Sequence, residues 1–344
     1  MAALETEATL GRPAPAASPS DFVPASADHR QESDRAYADY SYAKEVLSRF
    51  RDNKGAVVAT IIIALIIVLA IVAPMVSAYT YEGVDSNATN LPPRVPGLEQ
   101  VGIFDGTQGG VDVYAQKGCQ DQYHLFGTDN LGRDIWTRVW SGTRVSLTIA
   151  FVSMIVNVVI GIAYGLISGY LGGTVDIVMQ RITEVLSSIP QLVIVTLMLV
   201  VMKPGLGNII IVLLITGWID MSRVVRAQVL KLKQQEFVLA ARTLGVKWTQ
   251  IVFREILPNV LPQIIVTFLF SVPQAIFLEA FLAFVGLGVP APLASLGSMI
   301  NDGYKSAMTY PFMVAFPVIV LALLMLGFNL FADGLRDAIE PNRG

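Results

Sequence analysis

Between Gly55 and Tyr81 the chain carries no charged residue, and a second uncharged run lies between Arg144 and Asp176. A helix needs about 20 apolar residues to cross the hydrocarbon core of a bilayer. In lipid, a segment of this kind must satisfy its own backbone groups, which makes it helical. The two runs predict crossings at roughly 56–78 and 145–168. Further apolar stretches predict helices at roughly 185–202, 208–225, 260–287 and 312–332. The 208–225 stretch is the weakest, because Asp220 and Arg223 interrupt its end. With 53% hydrophobic and only 15% charged residues, the chain sits far from the roughly one-quarter charge of soluble domains. An all-α integral membrane protein of six transmembrane helices is expected.

Several function classes are disfavoured. One cysteine, Cys119, excludes an intrachain disulfide and a multi-cysteine metal site, and His29 and His124 lie too far apart in sequence to suggest a metal centre. No Gly-x-x-x-x-Gly-Lys-Ser/Thr run occurs; Lys305-Ser306 follows Gly303-Tyr304 without a phosphate loop. No catalytic triad or paired-carboxylate site is recognisable, so no metal, cofactor or catalytic residue is expected in this chain, and no nucleic-acid partner. Residues 1–35, rich in Ala, Pro, Ser, Glu and Asp, are expected to be a disordered tail without the pattern of a signal peptide. In residues 36–54, Val46, Leu47 and Phe50 share a helical face among Lys44, Arg49, Arg51 and Lys54, which predicts an interfacial lead-in helix against membrane lipid.

Residues 79–143 form a long polar segment containing HLFGTDNLGRDIWTRVWSGTRVSL. Asp129-Asn130 and Gly132 read as a turn, and Trp136 and Trp140 suit a membrane interface. Asp129, Arg133 and Asp134 have two readings, a salt-bridged turn or a contact with a partner. Gly161, Gly165 and Gly169 recur every four residues, the spacing that lets two membrane helices pack closely. Glu279 lies inside the predicted helix 260–287, where an ionisable group faces protein or water; it either lines a translocation path or pairs helices. An outer loop is expected at 289–310.

Between the fourth and fifth predicted helices lies EFVLAARTLGVKWTQIVFREILP, residues 236–258. It is polar and carries both charge signs. Its residue types predict helix, break at Gly245, and helix again, with Pro258 starting something new. This stretch resembles the coupling (EAA) loop of bacterial ABC-importer permeases: Glu-Ala-Ala, three residues, Gly, nine residues, Ile-x-Leu-Pro. Ala240, Ala241, Gly245, Leu257 and Pro258 are in register; Leu239 stands where Glu is usual and Glu255 where Ile is usual, with Glu236 three residues before Leu239. The strings EFVLAARTLG, REILPN, FLAFVGLGVPAP and the 124–147 segment resemble the dipeptide/oligopeptide permease branch, in its second, C-type subunit.

The resemblance implies the type I ABC-importer permease fold in the bacterial plasma membrane. It implies a sister permease forming a heterodimer, two cytoplasmic ATP-binding subunits that hold ATP and Mg, and an extracytoplasmic substrate-binding protein. Glu236, Ala240, Ala241, Arg242, Gly245, Leu257 and Pro258 would couple to the ATPase. Cations prefer the cytoplasmic side. If both termini are cytoplasmic, 17 of the 24 lysines and arginines lie inside and 7 outside. The expected organisation is a tail at 1–35, the lead-in helix at 36–54, and the first transmembrane helix with its extracytoplasmic segment at 55–143. A core permease domain at 144–334 follows, with a cytoplasmic coupling loop at 226–258, and then a cytoplasmic tail at 335–344. Peptide is the expected solute. Nickel or another small solute remains open, as do an ion-driven secondary transporter and a membrane scaffold without transport activity.

Overall fold

The structure, a computed structural model, describes residues 42–99, 102–202 and 205–339. The expected disordered tail 1–35, the start of the lead-in segment and the end of the terminal tail lie outside the described residues. The chain divides into two units, Met1–Ser48 and Arg49–Gly344. The described part of the first is the beginning of helix α1 (Tyr42–Asp52).

Within the second unit, the Asn53 side chain accepts from the Ala56 amide and caps α2 (Lys54–Val76). Its buried positions are Ala56, Ala59, Ile63, Ile66, Ala70 and Ala73, spaced alternately by three and four. Val58, Ile61, Leu65 and Val68 stay exposed on the other side. Both sides are apolar, so residue size separates them more than hydropathy does: small alanines mark much of the packed seam. That seam meets α12 (Phe312–Ile339), where Gly327 faces Ile63 and Gly334 faces Ala56.

The polar segment after α2 is an ordered cap. A hairpin of β1 (Thr107–Gln108) and β2 (Val111–Asp112) leads into α3 (Val113–Lys117). Leu91, Ala88, Tyr114 and Cys119 form a small apolar core beneath it. Helix α4 (Ile135–Leu171) has 37 residues, a length of roughly 55 Å that exceeds a hydrocarbon core. It begins ten residues before the expected 145. Asp134 caps it, accepting from the Thr137 amide at 2.8 Å. Arg138 and Arg144 are tolerated in it because Arg138 donates to the Tyr81 carbonyl and Arg144 to the carbonyls of Ala70 and Ile71.

Helices α5 (Gly173–Ser188) and α6 (Gln191–Met202) are bent by 78° against each other, and Asp176, Arg181 and Glu184 lie within α5. Then come α7 (Leu206–Thr216), α8 (Trp218–Leu232), α9 (Glu236–Thr243) and the long α10 (Trp248–Leu287). Inside the expected outer loop lies α11 (Leu296–Tyr304), closed by a capping box of Ser295 and Ser298. Among the described residues five helical runs are long and apolar enough to cross a membrane: α2, α4, α7–α8, α10 and α12. The bent α5–α6 pair makes up to six.

Candidate functional site

Helix α9 ends in a left-handed turn. The Val246 amide donates to the Ala241 carbonyl at 3.1 Å and the Gly245 amide to the Arg242 carbonyl at 3.0 Å, with Gly245 at φ +71°. This paired closure satisfies two carbonyls that the helix end would leave open, and it needs a residue that tolerates positive φ. The chain then reverses into α10 at Lys247–Trp248.

Pro258 does not start a new element. It occupies the second position of the α-helical part that begins at Leu257, and a π-helical stretch, Ile251–Ile256, runs into it without a break. The wider π turn absorbs the hydrogen bond that proline cannot donate.

One face of this hairpin is buried. Val238, Ile251, Val252 and Ile256 join Leu166 and Tyr170 of α4 and Met221, Val225 and Val229 of α8 in one apolar cluster, with Ala241 and Leu257 packed against it. The two alanines therefore part company: Ala241 is half-buried and Ala240 exposed. Phe237, Leu239, Trp248 and Leu244 stay exposed around the buried face, the last 81% exposed. Glu236 stands exposed in the first turn of α9 and Arg242 in its last, the placement a helix dipole favours. The Arg242 guanidinium lies over the Tyr170 ring at 5.1 Å, and Tyr170 stacks with Trp248.

Gly161, Gly165 and Gly169 form the contact of α4 with α8. A methyl group on them would meet Met221, Val225 and Val229 respectively, spaced four apart like the glycines. The same end of the bundle holds an ionic clasp that sequence reasoning missed. Arg226 of α8 donates two hydrogen bonds of 2.6 Å to Asp176 of α5, and Ser168 of α4 donates to the same carboxylate. Lys233 donates to the Gly169 carbonyl at the end of α4. The signal available in the sequence was opposite charges flanking apolar runs; only the fold pairs them across 50 residues.

A cavity of about 690 Å³ opens between α4, the α7–α8 junction and α10. Leu278 and Phe281 line it. Their neighbour Glu279 is 1% exposed, and its Oε2 accepts from Ser146 of α4 at 2.7 Å. Ser146 also accepts from the Leu296 amide. The carboxylate thus joins α10, α4 and the start of α11.

At the other end of the bundle, Asp129 accepts from Arg133 Nε at 2.7 Å and from the amides of Leu131 and Arg133. Asp134 is not part of that ion pair. It caps α4, and its Oδ1 lies 2.8 Å from His124 Nδ1, because the helix start aims its carboxylate inward. Asp129, Arg133, Arg138, Asp302 and Lys305 border a pocket of about 210 Å³.

Residues 161–344 match the family described as binding-protein-dependent transport system inner membrane component. Residues 41–93 match the N-terminal transmembrane domain of oligopeptide transport permease C. The chain is 43% identical over 320 residues to the oligopeptide transport system permease protein OppC of Bacillus subtilis, covering 93% of this chain and 96% of that protein. It is 37% identical over 302 residues to the dipeptide transport system permease protein DppC of the same organism, covering 88% and 86%. An inward-facing structure of the MetNI methionine ABC transporter aligns with a TM-score of 0.49 at 21% identity, over 59% of this chain and 96% of that one.

Proposed function

This chain belongs to the family of inner membrane components of binding-protein-dependent transport systems, and we propose on that premise that it is the C-type permease subunit of an ATP-driven peptide importer. As a multi-pass membrane component it forms half of a translocation path, completed by a sister permease. The chemistry belongs to other polypeptides: two ATP-binding subunits hold ATP and Mg on the cytoplasmic side, and an extracytoplasmic binding protein delivers the solute. Both termini and the α9–α10 hairpin are cytoplasmic in this reading, which the lysine and arginine distribution supports. The names of the relatives, oligopeptide and dipeptide permeases, support peptide as the solute.

The observation that carries the reading is the α9–α10 hairpin. One face is locked into the α4–α8–α10 core while Phe237, Leu239, Leu244 and Trp248 around it stay exposed. An apolar face on a short helix between charged segments fits a groove on a partner protein. Motion of an ATPase seated there passes to α4 and α8 through Val238, Ala241, Ile256 and Leu257. Glu236, Ala240 and Arg242 orient the contact, and Gly245 with Pro258 sets the hairpin's shape. Asp129 and Arg133, at the opposite end, present the polar surface to a binding protein or sister subunit. Glu279 pairs helices.

In mild detergent the assembled complex is expected to retain its ATP-binding subunits, and Leu244→Asp or Ala240→Asp to release them with at least tenfold loss of uptake. Ala241→Asp, half-buried, is expected to lower folding stability as well. Retention of the ATPase and full uptake in Leu244→Asp would refute the reading.

A further inference from the structure

We propose that Ser153, Asn157 and Thr216 form a neutral subsite in the cavity wall that hydrogen-bonds the backbone amides of a peptide in transit. The inference rests on the peptide-permease reading and deepens it.

Among the described residues, buried side-chain polar atoms without a hydrogen-bond partner are few, and three of them, Ser153 Oγ, Asn157 Oδ1 and Thr216 Oγ1, belong to residues lining the one 690 Å³ cavity. Ser153 and Asn157 stand one turn apart on α4. Thr216 ends α7 across from them, next to Gly217. A methyl group on Gly217 would overlap the Asn157 amide, so the glycine is what admits this side chain. Asn157 Nδ2 reaches the Leu213 carbonyl at 3.5 Å, which orients the amide and leaves Oδ1 as a fixed, vacant acceptor.

A buried polar group without a partner is unfavourable, and the cost falls away only in a state that supplies one. Three such groups on one wall indicate that the partner arrives from the cavity when its wall parts. Their chemistry defines the partner. Two hydroxyls both donate and accept, and one amide oxygen accepts. These three groups are themselves uncharged, with Asp220 the one carboxylate among the residues lining the same cavity, and they match the N–H and C=O groups of an amide. Gln274 extends the amide character, while Phe270 and Phe277 offer apolar surface to side chains. Such a subsite reads the repeating backbone and leaves side-chain identity open.

The test uses the complete complex in proteoliposomes with its binding protein, and trialanine as the probe. Paired measurements follow uptake and binding-protein-stimulated ATP hydrolysis. The S153A/T216V pair is expected to lower uptake about tenfold while ATP hydrolysis stays within twofold. Returning a hydroxyl in S153A/T216S is expected to recover part of that loss. Uptake within twofold of wild type in S153A/T216V overturns the subsite. So does equal loss of uptake and hydrolysis in both pairs, which assigns these residues to packing. A wild-type complex that takes up no trialanine defeats the peptide reading itself, and the subsite with it.

Discussion

Gly132 shows how much one position decides. It sits at φ +74° in the turn that Asp129 closes, and a methyl group there would run into the Asp85 carbonyl oxygen. Gly132→Ala is expected to destabilise by about 2–3 kcal/mol, combining left-handed strain with the clash, and to lower the thermal midpoint of the solubilised protein. Tyr114 sets a pH limit in the same cap. It is fully buried, its hydroxyl donates to the Pro92 carbonyl at 2.9 Å, and burial pushes its phenol well above the usual 10.0. The native cap therefore favours the neutral ring. Its contribution is complete below pH 10.0 and declines as pH rises beyond that value. Proteolytic susceptibility of the 79–134 segment is expected to rise above that pH, and Tyr114→Phe to flatten the dependence. The turn at Asp129–Gly132 was legible from residue types alone. The separate roles of Asp129 and Asp134 were not, because adjacent carboxylates in the sequence point to different partners in space.

At the scale of elements, the helices meet through small residues and through side chains that repair broken backbone. Pro74 in α2 has no N–H, so the Ala70 carbonyl loses its partner within the helix. Arg144 of α4 fills that vacancy with hydrogen bonds of 3.2 and 2.9 Å and reaches Ile71 as well. Arg144→Leu is expected to cost about 1–3 kcal/mol, measured by thermal unfolding in detergent. Pro74→Ala restores the missing donor, so the double variant is expected to lose less than the sum of the two single changes; strict additivity would count against the repair. The glycine seam obeys the same logic. The spacing of Gly161, Gly165 and Gly169 announced a close contact, but the sequence left its partner open, since several helices are equally apolar. The extra ten residues of α4 escaped notice for a related reason. Charges normally end a membrane helix, and here protein carbonyls and Asp129 receive them.

For the whole molecule, the clasp of Arg226 and Asp176 joins the bent α5–α6 pair to α8, which leads directly into the α9–α10 hairpin. Asp176→Asn is expected to keep the fold and to loosen this link. Peptide uptake per ATP hydrolysed in proteoliposomes should fall several-fold, and a charge-exchanged pair, Asp176→Arg with Arg226→Asp, should recover part of it. Unchanged coupling in Asp176→Asn would restrict the clasp to a local role.

The amino-acid sequence alone determined that the chain crosses a membrane repeatedly. Lipid excludes charge and requires every backbone group to be satisfied within the segment, so apolar length is a sufficient signal. It also determined the helix, turn and helix of the α9–α10 hairpin, whose glycine and alanine positions are local in origin. Only the tertiary structure decided which faces pack. Lipid and protein interior are similarly apolar, so hydropathy cannot tell the Ala59 side of α2 from the Val58 side. The same limit hid the Arg226–Asp176 clasp, the split between Ala240 and Ala241, and the convergence of Ser153, Asn157 and Thr216. Each is a relation between elements distant along the chain, created when small residues let those elements approach.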